Sequence, residues 1–263
     1  MKKIILAVIV LLGAMPLTKA QDTKNVVYDA NAEIRKVSDF TGVDVSNAIS
    51  LYLSQGKENA VAISVDGGDK EKVKTEVKNG VLKIYIDGGF WSKMGWNNSH
   101  VKAYVTVKNL NKLMASGASR VLIAEKISVN DLKITLSGAS SLKGDMKAHS
   151  LNAEISGASN MKSSITANNL KVGLSGASTA TLSGSSDVLD IDANGASNLK
   201  AYDLAAVSCS AEASGASSIK VNVSKEFSKV QASGASSIHY KGDAAVKNFE
   251  ASGASSIKKD GGK

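Results

Sequence analysis

The sequence predicts an all-β protein, a right-handed parallel β-helix or β-solenoid of about 19–20 residues per coil preceded by a β-rich N-terminal capping segment. Three observations predict it. The tetrad Ser-Gly-Ala-Ser recurs from residue 116, beginning at Ser116, Ser137, Ser156, Ser175, Asn194, Ser214, Ser233 and Ser252, with intervals of 21, 19, 19, 19, 20, 19 and 19. Apolar residues keep fixed places around each tetrad and alternate upstream of it, as in Leu132, Ile134, Leu136 and Leu170, Val172, Leu174. A period of two is the signature of a strand with one side buried. The only proline, Pro16, lies before all of this, so nothing interrupts the backbone ladders.

The first element is a leader. Lys2 and Lys3 precede the uncharged run Ile4 to Leu12, and the small residues Thr18 and Ala20 stand before Gln21. This pattern predicts a secretory signal peptide over residues 1–20 with cleavage after Ala20. The run is shorter than the roughly 20 apolar residues of a membrane span, and no second such run follows, so no integral span is expected. No cysteine follows it either, which argues against a lipid anchor.

Residues 21–112 are expected to be a β-rich part that pairs with and caps the first coil. Alternating stretches occur at Val43 and Val45, Ile49 to Leu53, Val61 to Val65, Leu82 to Ile86 and Val101 to Val107. Asn79-Gly80 between two such stretches predicts a two-residue hairpin. Lys70 to Val77 fits either a short helix or a strand. The segment Gly88 to Ser99 stands apart, because it carries Phe90, Trp91 and Trp96 among glycines and asparagines. Aromatic rings beside polar neighbours stack on sugars and peptides, so Phe90, Trp91, Trp96 and Asn97 are the ligand-binding candidates. The alternative is that the rings cover an exposed edge of the core.

Residues 113–257 form the predicted solenoid, with 258–263 as a tail and 21–257 as one continuous domain. Gly117, Gly138, Gly157, Gly176, Gly195, Gly215, Gly234 and Gly253 are the expected corners, since glycine tolerates positive φ and close backbone approach. If strict alternation runs through the tetrad, its glycine and second serine point inward and the hydroxyls form a ladder between coils. The first serine and the alanine then make an outer strip of small side chains, on which a partner could dock. A bulge at the glycine reverses that assignment. The inward residues shrink from Leu and Ile to Ala toward the C-terminus, which predicts narrower or more weakly packed late coils.

Composition narrows the function. The formal charge is +8, and +5 once Lys2, Lys3 and Lys19 are removed, spread as single lysines. Dispersed lysine reads as a solvated surface. The clustered basic stripe with interleaved aromatics that nucleic acid requires is absent from the linear sequence, so no nucleic-acid partner is expected. Weak attraction to an acidic polysaccharide or anionic surface fits the charge. The lone Cys209 occupies an apolar slot of the repeat and reads as a small buried hydrophobe. His100, His149 and His239 lie at unrelated phases, and Asp187, Asp190 and Asp192 do not have calcium-loop spacing, so no metal or cofactor is expected. The arginines Arg35 and Arg120 are isolated, and no acid pair repeats on successive coils, so no catalytic residue is assigned.

The chain resembles a known family at this point. The residues that carry the resemblance are Phe40-x-Gly42-Val43-x-Val45, Leu51 to Gly56, Val77 to Ile84 around Asn79-Gly80, and Val101 to Gly117, followed by the Ser-Gly-Ala-Ser coils. They are similar to the head GIN domain family, described as autotransporter adhesins, over about residues 36 to 257. The resemblance implies a β-solenoid in the periplasm, on the surface or in the medium of a Gram-negative bacterium, and it brings no catalytic residues. No pattern of barrel strands follows the repeats, so self-anchoring as an autotransporter is not expected. The leading expectation is a non-enzymatic module that binds a glycan or cell-surface protein. The alternatives are a polysaccharide-processing enzyme on a β-helix and a structural protein that self-associates through strand edges.

Overall fold

The structure, a computed structural model, describes residues 29, 31–88 and 100–261. It is all-β, with a parallel solenoid of about eight turns after an N-terminal β region. The repeat coils are β8 (Lys112–Ala115), β9 (Arg120–Ile123), β10 (Ile127–Leu136), β11 (Ser141–Ile155), β12 (Asn160–Leu174), β13 (Thr179–Ala193), β14 (Asn198–Ala213) and β15 (Ser218–Ala232). The shorter β16 (Ser237–Lys241), β17 (Ala245–Val246), β18 (Phe249–Ala251) and β19 (Ser256–Lys259) complete the stack. Successive coils pair in parallel at the sequence offset of the tetrads, as in Leu151↔Leu170 and Leu170↔Leu189. Equivalent residues therefore lie one above another at a strand spacing of about 4.8 Å.

Longer coils absorb their extra residues locally. The 20-residue interval from Asn194 to Ser214 is taken up by a register shift between Thr181 and Ser183, opposite Lys200 and Asp203, which bulges β14 near Tyr202. The 21-residue first interval is taken up between β9 and β10. Within each coil the inward phase slips by one residue between Ala148 and Leu151, and likewise between Ala167 and Leu170. That slip is a second corner, so each coil has one run that follows the tetrad and one that leads into the next.

The late coils do narrow at one column, where Ala193, Ala213 and Ala232 stand in place of Leu136, Ile155 and Leu174, all buried. Another column widens instead, where fully buried Phe227 takes the place of Cys209 and Leu189.

The N-terminal region joins the same stack out of chain order. Its strands are β1 (Glu33–Ile34), β2 (Gly42–Val45), β3 (Ser50–Gln55), β4 (Ala60–Asp66), β5 (Val73–Lys78), β6 (Val81–Ile86) and β7 (His100–Val107). β2 and β3 pair in parallel with β8 and β9, and β6 and β7 pair in parallel with β2 and β3. Asn79 and Gly80, both at positive φ, turn the antiparallel β5–β6 hairpin. Lys70 to Val77 divides into a single 3-10 turn, Lys70–Lys72, and β5. β4 pairs antiparallel with β7, and β1 with β4, which ends the parallel ladder on that side.

One coil in this region carries a disguised tetrad. The pairings Val45↔Ala115 and Leu51↔Val121 set Ser46-Asn47-Ala48-Ile49 over Ser116-Gly117-Ala118-Ser119. Asn47 adopts φ 65° there, a conformation asparagine reaches more readily than most side chains.

Candidate binding surface

The tetrads stack into one edge of the solenoid. All eight repeat glycines have φ between 61° and 73°. A Cβ on Gly176 would sit 2.8 Å from the carbonyl oxygen of Gly157, and the later coils repeat that contact. Glycine is thus required twice, by backbone sign and by the closeness of the coil beneath. The same stacking lets the Ala177 N–H donate to the Gly157 carbonyl at 2.8 Å, a bond repeated by Ala196, Ala216, Ala235 and Ala254.

The second serine of each tetrad is buried from Ser119 to Ser236, whereas the glycine and alanine are exposed. Alternation is therefore broken at the turn, and the glycine does not point inward. Several inward hydroxyls bond between coils, to carbonyls rather than to each other, whereas Ser140 Oγ donates to the Ser137 carbonyl of its own tetrad and Ser159 Oγ accepts from the Ser140 N–H. Ser178 Oγ donates to the Ile155 carbonyl at 3.1 Å, Ser217 to Ala193 at 3.0 Å and Ser236 to Ala213 at 3.1 Å. Ser119 and Ser197 hydroxyls have no such partner among the described residues.

The two runs flanking this edge differ in charge. On the run that follows each tetrad, the fifth residue after the glycine points outward. Register pairing places Leu122, Lys143, Lys162, Thr181, Lys200, Lys220, His239 and Lys258 in one column. The lysines that look scattered in sequence are aligned in space, which corrects the reading of an unclustered surface. All five are exposed, and none forms an ion pair among the described residues. Beside them, toward the tetrad, runs a column of hydroxyls and amides: Ser141, Asn160, Thr179, Asn198, Ser218, Ser237 and Ser256.

On the run that leads into the tetrad, acids line up. Glu154, Gly173, Asp192, Glu212, Gln231 and Glu250 share a column. Acidic residues do therefore meet on adjacent coils, Asp192 over Glu212, contrary to the linear reading. Two of the basic residues here are paired, Lys171 with Asp190 at 3.2 Å and Lys229 with Glu212 at 2.7 Å, while Lys133 forms no ion pair among the described residues. Asp187 lies at the second corner, where Asn168 Nδ2 donates to it at 2.7 Å and His149 contacts Asn168 at 3.3 Å. Asp187 thus stands apart from Asp190 and Asp192, which both face Lys171, and among the described residues no three His, Cys, Asp or Glu side chains have the geometry of a metal site.

Cys209 is fully buried, and burial pushes its thiol well above the ordinary range, with the Asp190 charge adding to it. Phe90, Trp91, Trp96 and Asn97 lie outside the described residues. Their flanks are placed: Asp87 N–H donates to the Lys72 carbonyl at 2.8 Å, and His100 opens β7. The lysine column was the residue set missed in sequence. Its signal was a fixed offset from each tetrad glycine, visible only when the coils are aligned on one another.

Among the described residues no helix is long and apolar enough to cross a membrane. A crystal structure described as a "putative lipid binding protein" from Parabacteroides distasonis is similar at 25% identity and a TM-score of 0.74, over 87% of this chain and 96% of that one. One described as a "putative adhesin" from Parabacteroides merdae matches at 19% identity and a TM-score of 0.76, over 87% and 95%. Another so described from Bacteroides fragilis matches at 20% identity and a TM-score of 0.57, over the same shares. The last two show a shared fold. No curated protein matches the chain in sequence. The family model described as "Putative auto-transporter adhesin, head GIN domain" matches residues 39–179 and 156–244, and the chain belongs to that family.

Proposed function

We propose that the protein is an exported, non-enzymatic binding module of the cell envelope that recognises a glycan or surface protein through an outer run of its solenoid. The observation that carries this reading is the lattice of outward columns. Register pairing repeats the same side-chain type at a fixed spacing over many coils, which suits a ligand that itself repeats or extends. The signal-like residues 1–20 support export. Related crystal structures described as a "putative adhesin" and a "putative lipid binding protein" fit a surface-contact role.

Phe90, Trp91, Trp96 and Asn97 are a second contact proposed from sequence, on a segment between β6 and β7. The test is binding of the protein, residues 21–263, to a broad glycan array and to whole bacterial and host cells, at low and high salt. Saturable binding that persists at high salt is expected. Absence of binding to every glycan and cell overturns the module. Trp91→Ala or Trp96→Ala is expected to weaken it, and unchanged binding removes the aromatic segment from the site.

A further inference from the structure

We infer that the ligand of this module is a linear acidic polysaccharide, held along the lysine column of the run that follows the tetrads. The inference rests on the binding-module reading and names its substrate class. Lys143, Lys162, Lys200, Lys220 and Lys258 occupy equivalent places on paired coils, with Thr181 and His239 between them. Six coil steps separate the two ends, roughly 29 Å at the parallel strand spacing. The column therefore carries five lysines, interrupted by Thr181 and His239, over a length able to lie along several sugar units.

Three features favour this occupant. The first is that the lysines repel one another. Like charges directly opposite on paired strands destabilise a sheet, yet no carboxylate occupies this column or the hydroxyl-amide column next to it. The nearest outward carboxylates on the same run are Asp145, Asp203 and Asp260, two, three and two residues further along from Lys143, Lys200 and Lys258, and of these only Asp260 forms an ion pair, with His239. At the C-terminal end Asp260 bonds Tyr202 and His239, and its field reaches Lys220.

The second feature is location. Lysine that guards against aggregation belongs on edge strands, whereas Lys162 and Lys200 lie in the middle of the stack with a coil paired on either side. On the opposite run two of the three lysines of one column, Lys171 and Lys229, each have a carboxylate partner, and Lys133 has none. An anion supplied from outside balances the unpaired row.

The third feature is the neighbouring column. Ser141, Asn160, Thr179, Asn198, Ser218, Ser237 and Ser256 offer donors and acceptors suited to sugar hydroxyls. A single-stranded nucleic acid would want stacking aromatics among the cations; the column itself holds none, and Tyr202 beside Lys200 is engaged by Asp260 and Lys241. The acidic column across the tetrad edge repels a polyanion and so confines it to one run.

The test measures binding of the full mature chain to polygalacturonate, a linear polyuronate, beside a neutral glucan, vesicles containing an anionic phospholipid, and a single-stranded oligonucleotide. One variant carries Lys143→Glu, Lys162→Glu, Lys200→Glu and Lys220→Glu. A control with the same net charge carries Lys126→Glu, Lys133→Glu, Lys147→Glu and Lys225→Glu, at exposed lysines off the column. A Gln series at the four column positions serves if the Glu variant does not fold. Polygalacturonate is expected to bind the wild type and the control alike, and the column variant more weakly by over about tenfold. Equal loss in control and column variant reduces the effect to net charge and overturns the inference. Preference of the wild type for vesicles, oligonucleotide or glucan overturns it as well. Binding to glycans or cells that every variant retains would leave the binding module standing and remove only this ligand, whereas binding to nothing would remove both.

Discussion

At the scale of single residues, the fold depends on backbone sign and on how near the next coil lies. Gly157 has φ 71°, and a Cβ there would fall 2.5 Å from the Gly138 carbonyl oxygen. Gly173 is different: a Cβ would meet the Glu154 Oε2 at 2.9 Å, the free end of an exposed side chain that can swing away. Gly157→Ala is therefore expected to destabilise by at least about 1–2 kcal/mol from the left-handed conformation alone. Gly173→Ala is expected to be neutral or to stabilise by roughly 0.5 kcal/mol through reduced chain entropy. Urea denaturation of the two variants checks this, and equal losses would show that the tetrad position is not special. The corner role was legible in sequence, because a glycine repeated at one phase has few other uses. The direction of each tetrad side chain was not, because it depends on where the turn interrupts alternation.

At the scale of elements, the C-terminal coil is tied back by its last described residues. The extra residue of the 20-residue coil bulges β14 near Tyr202, and the Tyr202 hydroxyl donates to Asp260. His239 of β16 contacts the same carboxylate at 3.0 Å, and Lys241 lies 4.5 Å from the Tyr202 ring centre. The bonds from Tyr202 and then His239 hold the Asp260 carboxyl below its ordinary value of 3.8, against a smaller opposing desolvation and with help from the His239 and Lys220 charges. A depressed carboxyl pKa stabilises the fold above the unfolded value and loses that effect as pH falls through the folded one. Asp260→Asn should thus lower the urea midpoint near neutral pH, and the difference from wild type should close as pH falls through the depressed folded-state value. A difference unchanged below that value would mean the carboxylate charge is not what ties the coil. The β5–β6 hairpin was readable from Asn79-Gly80, whereas nothing local to Tyr202 announces a partner 58 residues away.

At the scale of the whole molecule, the two ends are finished differently. β1, β4 and β5 cross the N-terminal side antiparallel to their neighbours, while Phe249 of the last coil is 56% exposed and Ala251 is exposed too. Stability in a stacked repeat is a sum of neighbour interfaces, so a coil with one neighbour opens first. Amide exchange is expected to be slowest across β11 to β14 and fastest in β17 to β19, with β2 and β3 as protected as the repeat coils. Uniform exchange would show that the stack opens as a single unit. The binding experiments belong to this scale too, because the charge contrast across the tetrad edge exists only in the assembled stack.

The sequence by itself determined the repeat, its corners and the inward columns, because those follow from local rules of backbone sign and alternation that each coil obeys alone. It also announced the strands of the N-terminal region. Only the tertiary structure decided their order in the stack, since β2 and β3 insert between β8–β9 and β6–β7 through pairings that skip along the chain. It likewise set fully buried Phe227 over Cys209 in one inward column. The lysine row has the same origin: parallel pairing turns a fixed offset of about one coil in sequence into adjacency of about 4.8 Å in space, and charge has consequence only where side chains meet.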